Sequence, residues 1–245
     1  MNSLEADLEQ ARALEVAKLA DAIESIGFEC TRCGACCTSH DGEAHTATVF
    51  PDEIRRLQAA SADAGDRVDS DADEAPERDH ERDWRDVARP MPYGLHEGAD
   101  GLEGETFEWA LQTDGCGDCV FYTEDDDGLG ACSVHGDRPL ICQTYPFSVA
   151  LAGTSQPMGE AVDEAGIVRA HECEGLGRDI SRADAEALAR TLKTRAVREL
   201  EEAIAVRDAY EPPVSSPGPG EVVVHDSEGA KRIDGTPRDD EPGEE

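Results

Sequence analysis

Apolar side chains recur at helical spacing in two long stretches of the chain. Within residues 3–26 they fall on one face, which predicts an amphipathic helix: Leu4, Leu8, Ala11, Leu19, Ile23 and Ile26. A second helix is predicted to begin after Ser181, a suitable N-cap with Asp184 three residues later, and to run to about Tyr210. Its apolar positions are Leu188, Leu192, Val197, Leu200 and Ile204. The prolines that follow Glu211 end this helix.

Between these helices the apolar pattern shortens to brief runs that predict strands. Phe107, Trp109 and Leu111 alternate along the segment 106–112, as expected of a half-buried strand. Further strands are predicted at 46–50, 119–122, 131–135, 146–151 and 166–169. Pro51 begins a short predicted helix, because proline is tolerated in a first helical turn. We therefore predict an α+β fold, with a small irregular β substructure flanked by helices.

Two acidic segments lack the apolar residues that a core requires. Residues 61–104 are predicted to form an exposed insert or loop. Residues 211–245 are rich in glycine, proline, serine and acid, and are predicted to be a mostly disordered, mobile tail in which 222–224 could add one edge strand. The remaining sequence predicts a single domain over residues 1–210.

The charge balance narrows the classes of partner. The chain carries 56 acidic and 22 basic residues, a formal net charge of −34. Such a chain offers no cationic surface to nucleic acid or to an anionic membrane, so neither partner is expected. The acid is spread along the chain, which favours an adaptation to a salt-rich cytoplasm; the alternative is an acidic face that binds cations or basic partners. The sequence shows no signal segment and no membrane span, and we expect a cytoplasmic protein.

The densest chemical signal is a run of cysteines. Four of the nine cysteines lie within eight residues, with C-x2-C-x2-C spacing followed by one more: Cys30, Cys33, Cys36 and Cys37. An odd number of cysteines in a reducing compartment argues against a disulfide framework and favours metal. Zinc and iron–sulfur clusters both bind thiolates, and this spacing also opens the ligand run of bacterial ferredoxins. We therefore expect the β substructure to be organised by metal.

The grouping of the cysteines is left open by the sequence. If the backbone is extended, Cys36 and Cys37 point to opposite faces and can serve different centres or bridge a cluster. One site would then use Cys30, Cys33, Cys36 and a remote fourth ligand, and the other would use Cys37 with cysteines from 119–173. Three further residues are weighed as neighbours or ligands: His40, His171 and Arg138.

The cysteine pattern resembles that of the YkgJ-like cysteine-cluster family, also called the CxxCxxCC or zinc- or iron-chelating domain. The resemblance rests on residues 28–37, 119–122, 132–147 and 173–177, and covers about residues 26–180. It implies eight metal ligands, with Cys116 as an extra thiol: Cys30, Cys33, Cys36, Cys37, Cys119, Cys132, Cys142 and Cys173. The family is mostly without an assigned activity, but the flagellin lysine methylase group shares the cluster.

Three functional hypotheses follow. The leading one is a cytoplasmic metal-binding protein whose iron–sulfur cluster or zinc is structural or transfers electrons. The second is a protein-modifying enzyme related to the flagellin lysine methylases, and the third is an interaction module stapled by zinc. The sequence names no catalytic residue and no protein partner, so the question of enzymatic activity stays open.

Overall fold

The computed structural model describes residues 3–60, 82–151, 154, 160–161, 166–212 and 216–238. Its α-helices are α1 (Leu4–Ala13), α2 (Val16–Ile26), α3 (Pro51–Ala59), α4 (Trp84–Val87), α5 (Leu140–Thr144) and α6 (Arg182–Ala209), with a short 3₁₀ helix at His135–Asp137. The first six strands are β1 (Thr48–Val49), β2 (Ala88–Pro90), β3 (Leu95–Gly98), β4 (Gly101–Thr106), β5 (Trp109–Leu111) and β6 (Tyr122–Glu124). The other six are β7 (Gly130–Cys132), β8 (Phe147–Val149), β9 (Glu160–Ala161), β10 (Val168–Ala170), β11 (Val222–Asp226) and β12 (Gly229–Lys231). The predicted α+β class is confirmed.

The N-terminal stretch forms two helices, so the prediction of one continuous helix over 3–26 was wrong. The backbone leaves helical geometry at Leu14, and α2 begins with Glu15 as its N-cap. Glu15 is also where the apolar stripe is interrupted. The bend lets both helices lie against α6, and Lys193 of α6 donates to the carbonyl oxygen of Leu14 over 2.8 Å.

Helix α6 is the axis of the first hydrophobic core. Its predicted start is confirmed, since the Ser181 hydroxyl accepts a hydrogen bond from the amide of Asp184 over 3.1 Å. Small and aliphatic residues on one face pack against α1, α2, β8 and β10: Ala185, Ala189, Leu192, Ala196 and Leu200. Phe147 of β8 meets Phe28 edge to face at 5.8 Å, so this core reaches the residues just before Cys30.

Within the described residues, the strands form four small sheets. Three strands pair in the order β1-β5-β2 and three in the order β8-β10-β9, all antiparallel. Strands β6 and β7 form a hairpin. The largest sheet has the order β12-β11-β4-β3, with β11 parallel to β4. The second hydrophobic core lies around Trp84 and Trp109, whose rings meet edge to face at 5.2 Å.

Part of the predicted acidic insert is regular structure. Residues 84–106 form α4, β2, β3 and β4, and Trp84, Val87 and Met91 are buried. The expectation of an exposed loop was wrong for these residues. A few well-spaced apolar side chains are enough to anchor the segment to the core, because its backbone pairs with neighbouring strands. Residues 61–81 of the predicted insert lie outside the described residues.

The predicted tail also contains regular structure. Residues 222–231 form β11 and β12, and β11 lies between β12 and β4 instead of at a sheet edge. Val223 and Val224 are fully buried, which supplies the apolar contact that this segment was expected to lack. Residues 213–215 and 239–245 of the predicted tail lie outside the described residues. No helix in the described part of the chain is long and apolar enough to cross a membrane.

Candidate metal centre

The cysteine-rich segment is attached to the segment around Cys173 by backbone pairing. Gly27 ends α2 with a positive φ of 75°, and a Cβ at this position would collide with the carbonyl oxygen of Arg178. The amide of Glu29 then donates to the carbonyl oxygen of Gly175 over 3.0 Å, and the amide of Gly177 donates to Gly27 over 3.1 Å. These bonds place Cys30 beside the turn that follows Cys173.

Cys173 belongs with the first cysteines of the run. Burial raises the pKa of its thiol, and nearby thiols raise that pKa further. A hydrogen bond from the amide of Gly175 to Sγ, over 3.4 Å, acts in the opposite direction. Those nearby thiols are Cys33, Cys36 and Cys30. We call these four residues the exposed set, because Cys30, Cys33 and Cys36 are exposed and Cys173 is half-buried.

The other four predicted ligands lie together against the second hydrophobic core, and we call them the core set: Cys37, Cys119, Cys132 and Cys142. The amide of Cys119 donates to the carbonyl oxygen of Cys37 over 2.8 Å. Cys132 lies on β7 opposite Tyr122. The hairpin is attached to the cysteine-rich segment by two bonds of 2.8 Å between Arg32 and Gly130.

Cys142 is carried by the short helix α5, which a buried carboxylate positions. Glu53 Oε1 accepts from the amide of Leu140 over 2.9 Å, and Oε2 accepts from the amide of Phe50 over 3.2 Å. One side chain thus caps the first turns of both α3 and α5. Burial raises the pKa of Glu53, whose side chain is only 3% exposed. In the sequence Glu53 is only an acid in the first turn of a helix, so its contact with the distant Leu140 was not predicted.

The core set is electrostatically unfavourable without a cation. Burial, followed by the charges of Cys119, Cys132 and Cys36, raises the pKa of Cys142 strongly. Burial also raises the pKa of Cys119 to about 11, with Cys132 adding to the effect. Thiolates crowded in an apolar setting repel one another, and a bound metal ion reverses that penalty because its ligands are deprotonated. The chemistry of this donor set therefore fits a thiophilic metal.

The two sets meet at Cys36 and Cys37, whose Sγ atoms are 3.7 Å apart. The amide of Cys37 donates to Gly34 over 2.7 Å, so the backbone turns here. The expectation of an extended backbone with opposed thiols was therefore wrong. The hydrogen bond between these two sulfurs lowers the pKa of Cys36 to about 7 and raises that of Cys37. Cys36 is within electrostatic range of both sets.

The cysteine side chains do not form a closed metal site as they stand. In the described part of the chain, no three Cys, His, Asp or Glu side chains converge closely enough to hold a metal ion. Binding of a metal ion by either set would require rotation of its side chains.

The remaining candidates lie at the margin of the site. Cys116 is exposed, in a turn where its amide donates to Asp114. His40 is exposed and faces Asp41, whereas the ring of His171 meets that of Tyr145 edge to face at 5.9 Å.

Arg138 and Tyr145 complete the surroundings of the thiols. Arg138 donates to the carbonyl oxygen of His135 over 3.1 Å, and its charge lies within range of Cys36 and Cys142. The hydroxyl of Tyr145 donates to the carbonyl oxygen of Glu172 over 2.8 Å. Burial raises the pKa of this hydroxyl, and the thiols of the exposed set add to the effect.

Small sheets and helices bring cysteines from several distant segments together. This arrangement is typical of a metal–thiolate domain. The family model CxxCxxCC, described as a "Putative zinc- or iron-chelating domain", matches residues 29–174. The chain belongs to this family, and the resemblance found in the sequence is confirmed. No curated protein and no solved structure matches the chain.

Proposed function

We propose that this chain is a metal-binding protein whose eight clustered cysteines hold an iron–sulfur cluster or zinc. The observation that carries the proposal is that backbone bonds bring distant cysteine-bearing segments to the run 30–37. The amide of Glu29 donates to Gly175 over 3.0 Å, and the amide of Cys119 donates to Cys37 over 2.8 Å. Packing alone does not require thiols at this density. The thiols must stay reduced to bind metal, and for this reason we place the protein in the cytoplasm.

The electrostatics of the surroundings support the same proposal. Thiolates add negative charge to a chain that already carries −34. Arg138 is a cation within range of Cys36 and Cys142, and one arginine offsets only a fraction of eight thiolate charges. Divalent metal ions, or the iron of a cluster, would offset more of this charge.

Elemental analysis and acid-labile sulfide, measured on protein purified anaerobically in molar salt, test the proposal. Iron with sulfide and a visible absorption band identifies an iron–sulfur protein, and zinc alone without colour identifies a zinc–thiolate protein. Cys116→Ser should keep the full metal content, whereas Cys142→Ser should lose metal. Protein that is folded and carries neither metal would refute the proposal.

A further inference from the structure

We infer that the two sets of cysteines have different roles: the exposed set binds a metal ion that exchanges with solution, and the core set binds one that is permanent and structural. The inference rests on the proposed function and extends it to the two halves of the site. The ligand at the exposed set is a thiophilic divalent cation, Zn²⁺ or Fe²⁺, that can pass to or from a soluble thiolate or chelating acceptor. This is a ligand substitution, in which sulfur donors are replaced and no electron is transferred.

Accessibility is the first argument. In the exposed set Cys30, Cys33 and Cys36 are all exposed, whereas no member of the core set is. In the core set Cys119 is only 7% exposed. An incoming ligand must reach the metal or its sulfur donors, so exchange is fast where the donors face solvent and slow where apolar side chains cover them.

Packing is the second argument. All four members of the core set belong to, or pack against, the second hydrophobic core around Trp84 and Trp109. Neither core contains a member of the exposed set, all of whose residues are described. A metal ion held by the core set can therefore leave only if the apolar side chains packed around its sulfurs move apart. Loss of metal from the exposed set leaves thiols that water can solvate.

Attachment is the third argument. The core set lies on elements that other contacts already hold, since α5 is capped by Glu53 and the amide of Cys119 is bonded to Cys37. In the exposed set, the bonds of Arg32 to Gly130 hold the cysteine-rich segment but not Cys173. Cys173 is joined to this segment through the short pairing of residues 27–29 with 175–177. A segment held by few backbone bonds opens at lower free energy than one within a core. Opening of this pairing gives a route for exchange without unfolding of the domain.

The test follows metal release from the protein as purified, after mixing with excess EDTA in molar salt. The metal that stays bound is counted over time, and far-ultraviolet circular dichroism reports the fold. We expect two phases, with the faster at least tenfold faster than the slower, and no change in circular dichroism during the fast phase. Release in a single phase, or loss of the fold together with the first metal, would overturn the inference.

Matched variants assign each phase to a set. Cys33→Ser should remove the fast phase and keep both the slow phase and the melting temperature, and Cys116→Ser should behave as the wild type. Cys132→Ser should lower the melting temperature or prevent folding. If Cys33→Ser is destabilised as severely as Cys132→Ser, the division of roles is wrong. Wild-type protein with no metal in either phase would contradict the proposed function itself, whereas a single pool of metal contradicts only this inference.

Discussion

Lys231 and Asp226 form a buried ion pair, with Nζ 2.8 Å from Oδ2 and side chains only 4% and 2% exposed. Asp226 Oδ2 also accepts from Trp109 Nε1 over 2.8 Å. Lys231 Nζ lies 5.0 Å from the ring centroid of Trp84. The C-terminal hairpin thus contacts both tryptophans of the second hydrophobic core, to which four of the nine cysteines belong or against which they pack.

Lys231→Met should destabilise the domain by about 3–5 kcal/mol, because it leaves the Asp226 carboxylate buried without its cation. Urea unfolding in molar salt measures this difference. Arg232→Met is the matched control: Arg232 is an exposed neighbour whose guanidinium donates to the carbonyl oxygen of Pro237 over 2.8 Å. The control should cost less than about 1 kcal/mol. Equal effects of the two substitutions would contradict a buried role for Lys231.

The hairpin shows which features the sequence could predict and which it could not. Periodicity located α6 and its cap at Ser181, because local hydrogen bonds and one apolar face decide both. A lysine in a segment rich in glycine, proline and acid is typical of a solvated tail, and nothing local to Lys231 indicates burial. Its environment is created by Trp109, which lies 117 residues before Asp226.

The cysteine site, too, has features that the sequence could predict and features that it could not. The C-x2-C-x2-C run pointed to metal, and the resemblance to the cysteine-cluster family implied the eight ligand candidates. Their grouping depends on contacts between distant segments, such as the amide of Glu29 on Gly175 and that of Cys119 on Cys37. The turn at Cys36 and Cys37 was missed because adjacent cysteines fit an extended backbone equally well.

Glu53→Gln should destabilise the protein by about 1–3 kcal/mol, because the amide can accept from only one of the two backbone amides that the carboxylate now bonds. The bonds at risk are those to Leu140 and Phe50. Since Leu140 begins the helix of Cys142, metal retention in EDTA should fall as well. Asp52→Asn is the control, since Asp52 is 61% exposed and pairs with Arg198 at the surface. Unchanged stability and metal retention in Glu53→Gln would rule out the double-cap role.

His45 should make the stability depend on pH. Burial, reinforced by the charge of Arg89, lowers the pKa of His45 from 6.5 to about 4. The unfolded chain therefore takes up a proton near pH 6.5 that the folded chain takes up only near pH 4. This contribution to stability is complete above pH 6.5 and is lost as the pH falls toward 4. The stability lost from this source between high pH and pH 5 is about 2 kcal/mol.

Urea unfolding of wild type and His45→Gln at pH 7 and pH 5 isolates that contribution. The wild type should lose more stability than the variant on acidification, by about 2 kcal/mol. His96→Gln is the control, because the side chain of His96 is 68% exposed. A wild type and His45→Gln that lose the same amount would show that His45 is not protected from protonation.

Salt should stabilise the folded chain, because a net charge of −34 repels itself. The screening length falls from about 10 Å at 0.1 M to about 3 Å at 1 M, so the melting temperature should rise across this range. Pure screening predicts equal effects of KCl and NaCl. Stabilisation that saturates at millimolar Mg²⁺ would instead support the alternative of an acidic face that binds cations.

Gly175→Ala should separate the two segments that bear the exposed set. A Cβ at this position would collide with the carbonyl oxygen of Glu29 and lie 2.9 Å from the ring of Phe28. Alanine would therefore break the pairing beside Cys30, and the fast-exchanging metal should be lost while the slow one is kept. At Gly136 a Cβ would meet no heavy atom within 4 Å, so Gly136→Ala is the control and should keep both. Full metal content in Gly175→Ala would mean that this pairing does not assemble the exposed set, and that its sulfurs reach a common metal by another arrangement of the segment.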